Sequence, residues 1–114
     1  MVEKIIYDYL NSLEDLPVSA YTEVPEDRPS RFYLIEKTGE TVSDRIQSAT
    51  IAIQSYGDSL YDAICLNQSV KEAMLDGLIT LDSISGVKIN SDYNFTDTTT
   101  KTYRYQAVFV VTYY

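Results

Sequence analysis

Catalysis in a short chain starts from nucleophiles, bases and metal ligands, and this sequence offers few of them. It contains no histidine, which removes the commonest general base and the commonest metal ligand. Cys65 is the only cysteine. It has no neighbouring cluster of basic residues to hold a thiolate, so it reads as an inert thiol, and it can build neither an intramolecular disulfide nor a zinc cluster. The four glycines stand apart from one another, so neither a phosphate-cradling loop nor a dinucleotide fingerprint is present. Carboxylates remain, and paired carboxylates can do general acid–base work when an apolar setting raises the pKa of one of them. Glu14-Asp15, Glu26-Asp27 and Asp62 instead fall at turns, caps or helix surfaces, where solvation accounts for them. The expectation is a protein that is not an enzyme and has no metal or cofactor site.

The compositional oddity is aromatic: eleven of the 114 residues are tyrosine. Tyrosine brings a large apolar area with a polar tip, a combination that suits protein contact better than reaction chemistry. Nine basic residues scattered among seventeen acidic ones give a formal net charge of −8, which opposes passive binding to a phosphate backbone. Solubility alone explains this acidity; the sharper alternative is a negative surface that nucleic acid slides past. The start Met1-Val2-Glu3-Lys4 lacks a basic stretch followed by a long apolar run, and nothing approaches a membrane span, so a cytosolic product is expected.

The elements that must carry these residues follow from periodicity. Val2, Ile5, Ile6, Tyr9, Leu10 and Leu13 recur at helical spacing and predict an amphipathic helix over 2–13. Residues 18–24 alternate as a half-exposed strand, broken by the Pro25 to Ser30 loop. Arg31 to Lys37 reads as an internal strand closed by a turn at Thr38-Gly39-Glu40, and 45–56 as a third strand ended by Gly57. Asp58 or Ser59 is placed to cap a long helix reaching about Leu78, with Ser59-Leu60-Tyr61-Asp62 as a capping box. The apolar arc of that helix is wider than one sheet face needs, and it encloses Asn67 and Lys71. Either the helix is deeply nested and Lys71 snorkels, or one flank of the arc meets a neighbouring subunit. A fourth strand is expected around Val87 to Ile89, and Ser91 to Thr102 as a polar hairpin tip in which Tyr93 and Phe95 are stranded. They either dock onto a partner or fold back within the hairpin. No repeat or internal boundary is visible, so residues 1–114 are expected to form a single α+β domain, with two helices on a mostly antiparallel sheet of about five strands in the order α-β-β-β-α-β-β.

The last strand is apolar or aromatic on one face through Tyr103, Tyr105, Ala107, Phe109, Val111 and Tyr113, and half-apolar on the other through Val108 and Val110. Two covered faces in so short a chain suggest that another chain supplies part of the cover. The motifs Arg31-Phe32-Tyr33-Leu34-Ile35-Glu36-Lys37-Thr38-Gly39 and Tyr103-Arg104-Tyr105-Gln106-Ala107-Val108-Phe109-Val110-Val111-Thr112, with the element order, resemble the tail terminator proteins of long-tailed bacteriophages, the small tail-completion family of the neck region. The resemblance spans nearly the whole chain. It departs from the family pattern at Glu40, where a second glycine would stand, and at Thr100-Lys101-Thr102, where a Gly-Pro turn would precede the last strand.

The resemblance implies a virion protein made in the host bacterial cytoplasm and located at the tail–neck junction. Its partners would be its own copies in a ring, expected to be a hexamer, the tail tube protein, and the head-completion or connector protein. DNA would only pass through the lumen, and no membrane would be involved. By exposure and chemistry, Arg28, Arg31, Lys71, Tyr93, Phe95 and Arg104 are the expected subunit or partner contacts. The alternatives are another neck component, such as a head-closure or head–tail joining protein, or a small peptide- or ligand-binding module using the tyrosine-rich sheet.

Overall fold

Val2, Ile6 and Leu10, spaced one helical turn apart, are the residues that α1 (Val2–Ser12) buries in the computed structural model, which describes residues 2–114. Met1, part of the start read above for an export signal, lies outside the described residues. Then follow β1 (Ala20–Tyr21), β2 (Phe32–Ser43), β3 (Ile46–Gly57), α2 (Leu60–Glu72), β4 (Ile84–Asn94) and β5 (Tyr103–Tyr113). They form one α+β domain whose five-stranded sheet has the order β1-β2-β3-β5-β4. Every pairing is antiparallel except the short parallel contact of β1 with β2.

Both helices lie on one face of the sheet. Alternation sends Tyr33 and Ile35 of β2, Ala49, Ile51 and Ile53 of β3, and Ala107, Phe109 and Val111 of β5 into a core with Ile6 and Leu10 of α1 and Leu66 and Val70 of α2. The Tyr33 hydroxyl, fully buried there, donates to the Leu66 carbonyl at 2.8 Å and so ties sheet to helix. Burial pushes its pKa well above the usual tyrosine value.

Several boundaries differ from the sequence reading, each for a physical reason. The expected 18–24 strand shrinks to Ala20–Tyr21. There the Asn11 side chain donates to the Ala20 carbonyl at 3.0 Å and accepts from its amide at 2.9 Å, standing in for a neighbouring strand. The turn expected at Thr38-Gly39-Glu40 is a bulge: pairing shifts between Lys37 and Gly39 while β2 continues to Ser43. Glycine inside a strand often marks such a bulge. The chain reverses instead at Asp44 and Arg45, whose φ values of 50° and 68° are the left-handed pair that a tight hairpin requires.

The helix expected to run to Leu78 ends as α2 at Glu72, widens to a π turn over Ala73–Gly77 and tightens to a 3₁₀ turn over Leu78–Thr80. Met74 and Leu78 stay buried, so the apolar pattern outlasts the α-helix. The polar loop expected over 91–102 is also shorter, because β4 extends to Asn94. Asp97 then orders the tip, its carboxylate accepting from the amides of Thr99 at 3.0 Å and Thr100 at 3.4 Å, which holds its pKa below the usual range.

Candidate functional site

The sheet face away from the helices carries the most unusual arrangement of side chains. Cross-strand register aligns Phe32 with Tyr56 and Tyr56 with Arg104, and the Phe95 amide donates to the Arg104 carbonyl at 2.9 Å. One row therefore crosses the whole sheet from Tyr21 to Phe95. Phe32 and Tyr56 stack with centroids 4.4 Å apart and planes 8° from parallel, and Tyr21 meets Phe32 edge-on. The Arg104 guanidinium lies 4.5 Å from the Phe95 ring centroid and 5.7 Å from that of Tyr56. Arg28, from the proline-rich loop, lies 5.0 Å from the Tyr56 centroid. Tyr93 closes the row edge-on against Phe95. Each cation–aromatic contact at such a half-wet site contributes on the order of 0.5–1 kcal/mol.

A polar layer lies beside this row, one residue pair further along the strands. Arg104 donates from Nη1 to the Tyr56 hydroxyl at 3.1 Å, and Tyr56 donates to Gln54 Oε1 at 2.9 Å. Gln54 donates to Gln106 Oε1 at 3.2 Å, and the Gln106 amide donates to the Tyr93 hydroxyl. The chain of donors crosses β3, β5 and β4 and leaves the two buried glutamines mutually satisfied. Such a network fixes the orientation of the Tyr56 and Tyr93 rings. Sequence reasoning missed Phe32, Tyr56, Gln54 and Gln106 as members of this surface. Their only signal was a shared face of alternation, which becomes a row once the β2, β3 and β5 register is known.

Of the six residues expected as contacts, the structure gathers Arg28, Tyr93, Phe95 and Arg104 at this end of the open face. Tyr93 and Phe95 keep 41% and 37% of their surface exposed while packing on one another. Arg31 and Lys71 are engaged elsewhere within the chain. Arg31 grips the Asp62 carboxylate with two nitrogens at 2.8 and 2.9 Å. Asp62 is the third residue of α2, with its amide on the Ser59 cap at 3.1 Å and its carboxylate accepting from the Asp58 amide at 3.0 Å. The Arg31 hydrogen bonds, reinforced by that amide, hold its pKa below the ordinary value, and Asp62 in turn raises that of Arg31. Lys71 does not snorkel to open water: it reaches Asp92 on β4 at 2.5 Å, and the buried Asn67 donates to the same carboxylate at 2.7 Å.

The wide apolar arc of α2 is only partly used. Ala63, Leu66 and Val70 are buried, whereas Leu60, Tyr61 and Ile64 stand exposed on its outer flank beside the exposed Cys65. Among the described residues no group of three or more His, Cys, Asp or Glu side chains is placed to hold a metal ion. Tyr113 donates to Glu40, which raises the phenol to about 12 and, together with Lys37, lowers the carboxyl. No described helix is long and apolar enough to cross a membrane. Compared with known proteins, the chain matches no protein-family model and no curated relative.

Proposed function

We propose that this protein is a structural virion assembly protein, a tail terminator: it caps the tail tube of a long-tailed bacteriophage, ends tube polymerisation and offers its other side to the head-completion proteins. The observation that carries this reading is the helix-free sheet face with its arginine–aromatic row. Phe32, Leu34 and Tyr56 are already buried there, yet Val108 and Val110 remain only half-covered, and no described helix lies above them. A face of this kind suits a partner that adds cover without adding to the core of the chain. The net charge of −8 fits a ring through which DNA passes without being held. In this reading the chain is not an enzyme, and its ring, its tube contact and its connector contact are all protein surfaces.

The test is to mix the purified protein with the tail tube protein from the same genome and image the products by negative stain, with mass by light scattering in parallel. Rings, or tubes of limited length capped at one end, support the proposal. Unaltered tube growth beside a persistent monomer would sink it and favour another neck component or a peptide-binding module.

A further inference from the structure

The sheet has two lateral edges, and both are open. β1 covers β2 only opposite Tyr33 and Leu34, so among the described residues the outer side of β2 from Ile35 to Ser43 has no strand beside it. At the other edge β4 pairs only with β5, and its residues Lys88 to Asn94 are exposed. Each edge presents a row of unpaired backbone donors and acceptors. Building on the ring reading above, we infer that copies of this chain join edge to edge, β4 of one copy adding antiparallel to the outer half of β2 in the next.

Four observations lead to this pairing. First, β2 to β3, β3 to β5 and β5 to β4 are all antiparallel, so β4 runs opposite to β2. A copy rotated alongside about an axis near the strand direction keeps that sense and keeps its helices on the same side of the joined sheet. Second, the edge of β2 is already shaped to receive side chains. A cleft of about 570 Å³ lies between Glu3, Lys4 and Tyr7 of α1 and Ile35, Glu36 and Lys37 of β2, where a longer β1 would have run.

Third, both edges are irregular. β2 shifts register between Lys37 and Gly39, and β4 shifts between Ile89 and Ser91. Bulges ordinarily discourage pairing with an arbitrary strand; two placed to coincide allow one particular strand. Fourth, in the register that sets Lys37 opposite Asp92 the bulges fall at neighbouring steps and side chains of like character meet. Val42, which is 67% exposed, then meets Val87 on the helix side, and Thr41 meets Lys88 on the open side. Because the two edges differ, the contact is heterologous and propagates from copy to copy.

Disulfide trapping in the Cys65→Ser chain tests the inference, with Thr41→Cys combined in turn with Gly86→Cys, Lys88→Cys or Ser91→Cys, and each cysteine alone as a control. Oxidation is run with and without tube protein. The expected result is a ladder of dimers, trimers and higher species, strongest for Thr41→Cys with Lys88→Cys and absent from the single-cysteine chains. No ladder from any pair, or dimers alone, would overturn the edge pairing. A ladder from a protein that leaves tube growth unaltered would keep the edge pairing and remove the terminator reading, whereas capped tubes without a ladder would do the reverse.

Discussion

Replacing Arg104 with alanine tests whether the row across the open sheet face acts as a unit. The wild-type guanidinium contributes two cation–aromatic contacts, at 4.5 Å to Phe95 and 5.7 Å to Tyr56, together worth about 1–1.5 kcal/mol. It also donates from Nε to the Phe95 carbonyl at 2.8 Å and from Nη1 to the Tyr56 hydroxyl at 3.1 Å, adding about 1 kcal/mol each. Deducting the rotamer freedom that the arginine gives up leaves a net loss of about 2 kcal/mol in Arg104→Ala. Arg104→Lys keeps the charge but loses the planar fork, so it should lose roughly half as much. The decisive assay is a double-mutant cycle by urea unfolding, pairing Arg104→Ala with Phe95→Leu. The Nε bond to the Phe95 backbone survives the Phe95 change, so the coupling isolates the ring contact and should be about 0.5–1 kcal/mol. A coupling below about 0.3 kcal/mol, the usual additivity of independent sites, would refute the reasoning and reduce the row to side chains that are merely adjacent.

Four further outcomes are expected. Phe109→Asp places a carboxylate in the centre of the core, where Phe109 is fully buried; it should cost more than about 4 kcal/mol and abolish the folded circular-dichroism spectrum. Phe95→Asp should instead leave a folded chain that fails to cap tubes, and loss of its fold would show that the hairpin belongs to the core. Asp62 has a folded pKa held below its ordinary 3.8, so its stabilising contribution is complete above that value and is lost as pH falls through the depressed one. For this partly exposed pair the contribution is about 0.5–1 kcal/mol, and Asp62→Asn should remove it, flattening the acid limb of stability against pH. Gly57→Ala would set a Cβ 2.5 Å from the Ala63 amide nitrogen, a backbone atom of the first turn of α2. That turn must shift, and urea unfolding should register a loss of about 1–3 kcal/mol.

Much of this architecture is legible in the chain because burial on one face enforces periodicity. Val2, Ile6 and Leu10 announce α1, Ala107 through Tyr113 announce β5, and Ser59 caps α2 as its position suggests. The misreadings fall where the physical constraint is weak or ambiguous. Glycine at 39 serves a bulge or a turn equally well in sequence, and the actual reversal at Asp44-Arg45 carries no glycine to advertise it. β4 lies at an edge with most of its residues in water, so no buried face imposes alternation on Ser91 to Asn94. Arg28, Phe95 and Arg104 could be singled out by residue type, but their meeting depends on Phe32 and Tyr56 lying in register between them. Alternation along single strands does not encode which strands are neighbours.

Asn11 has a consequence for the order in which this chain gains and loses structure. Its amide occupies both backbone groups of Ala20 on the side away from the sheet, so the shortest strand is fastened to a helix as well as to its neighbour. α1 and β1 therefore form a latch at the β2 edge: when the first helix frays, the Ala20 clamp opens with it, and the protected length of β2 shrinks. Amide exchange at Ala20 should follow the opening of α1 rather than that of the sheet.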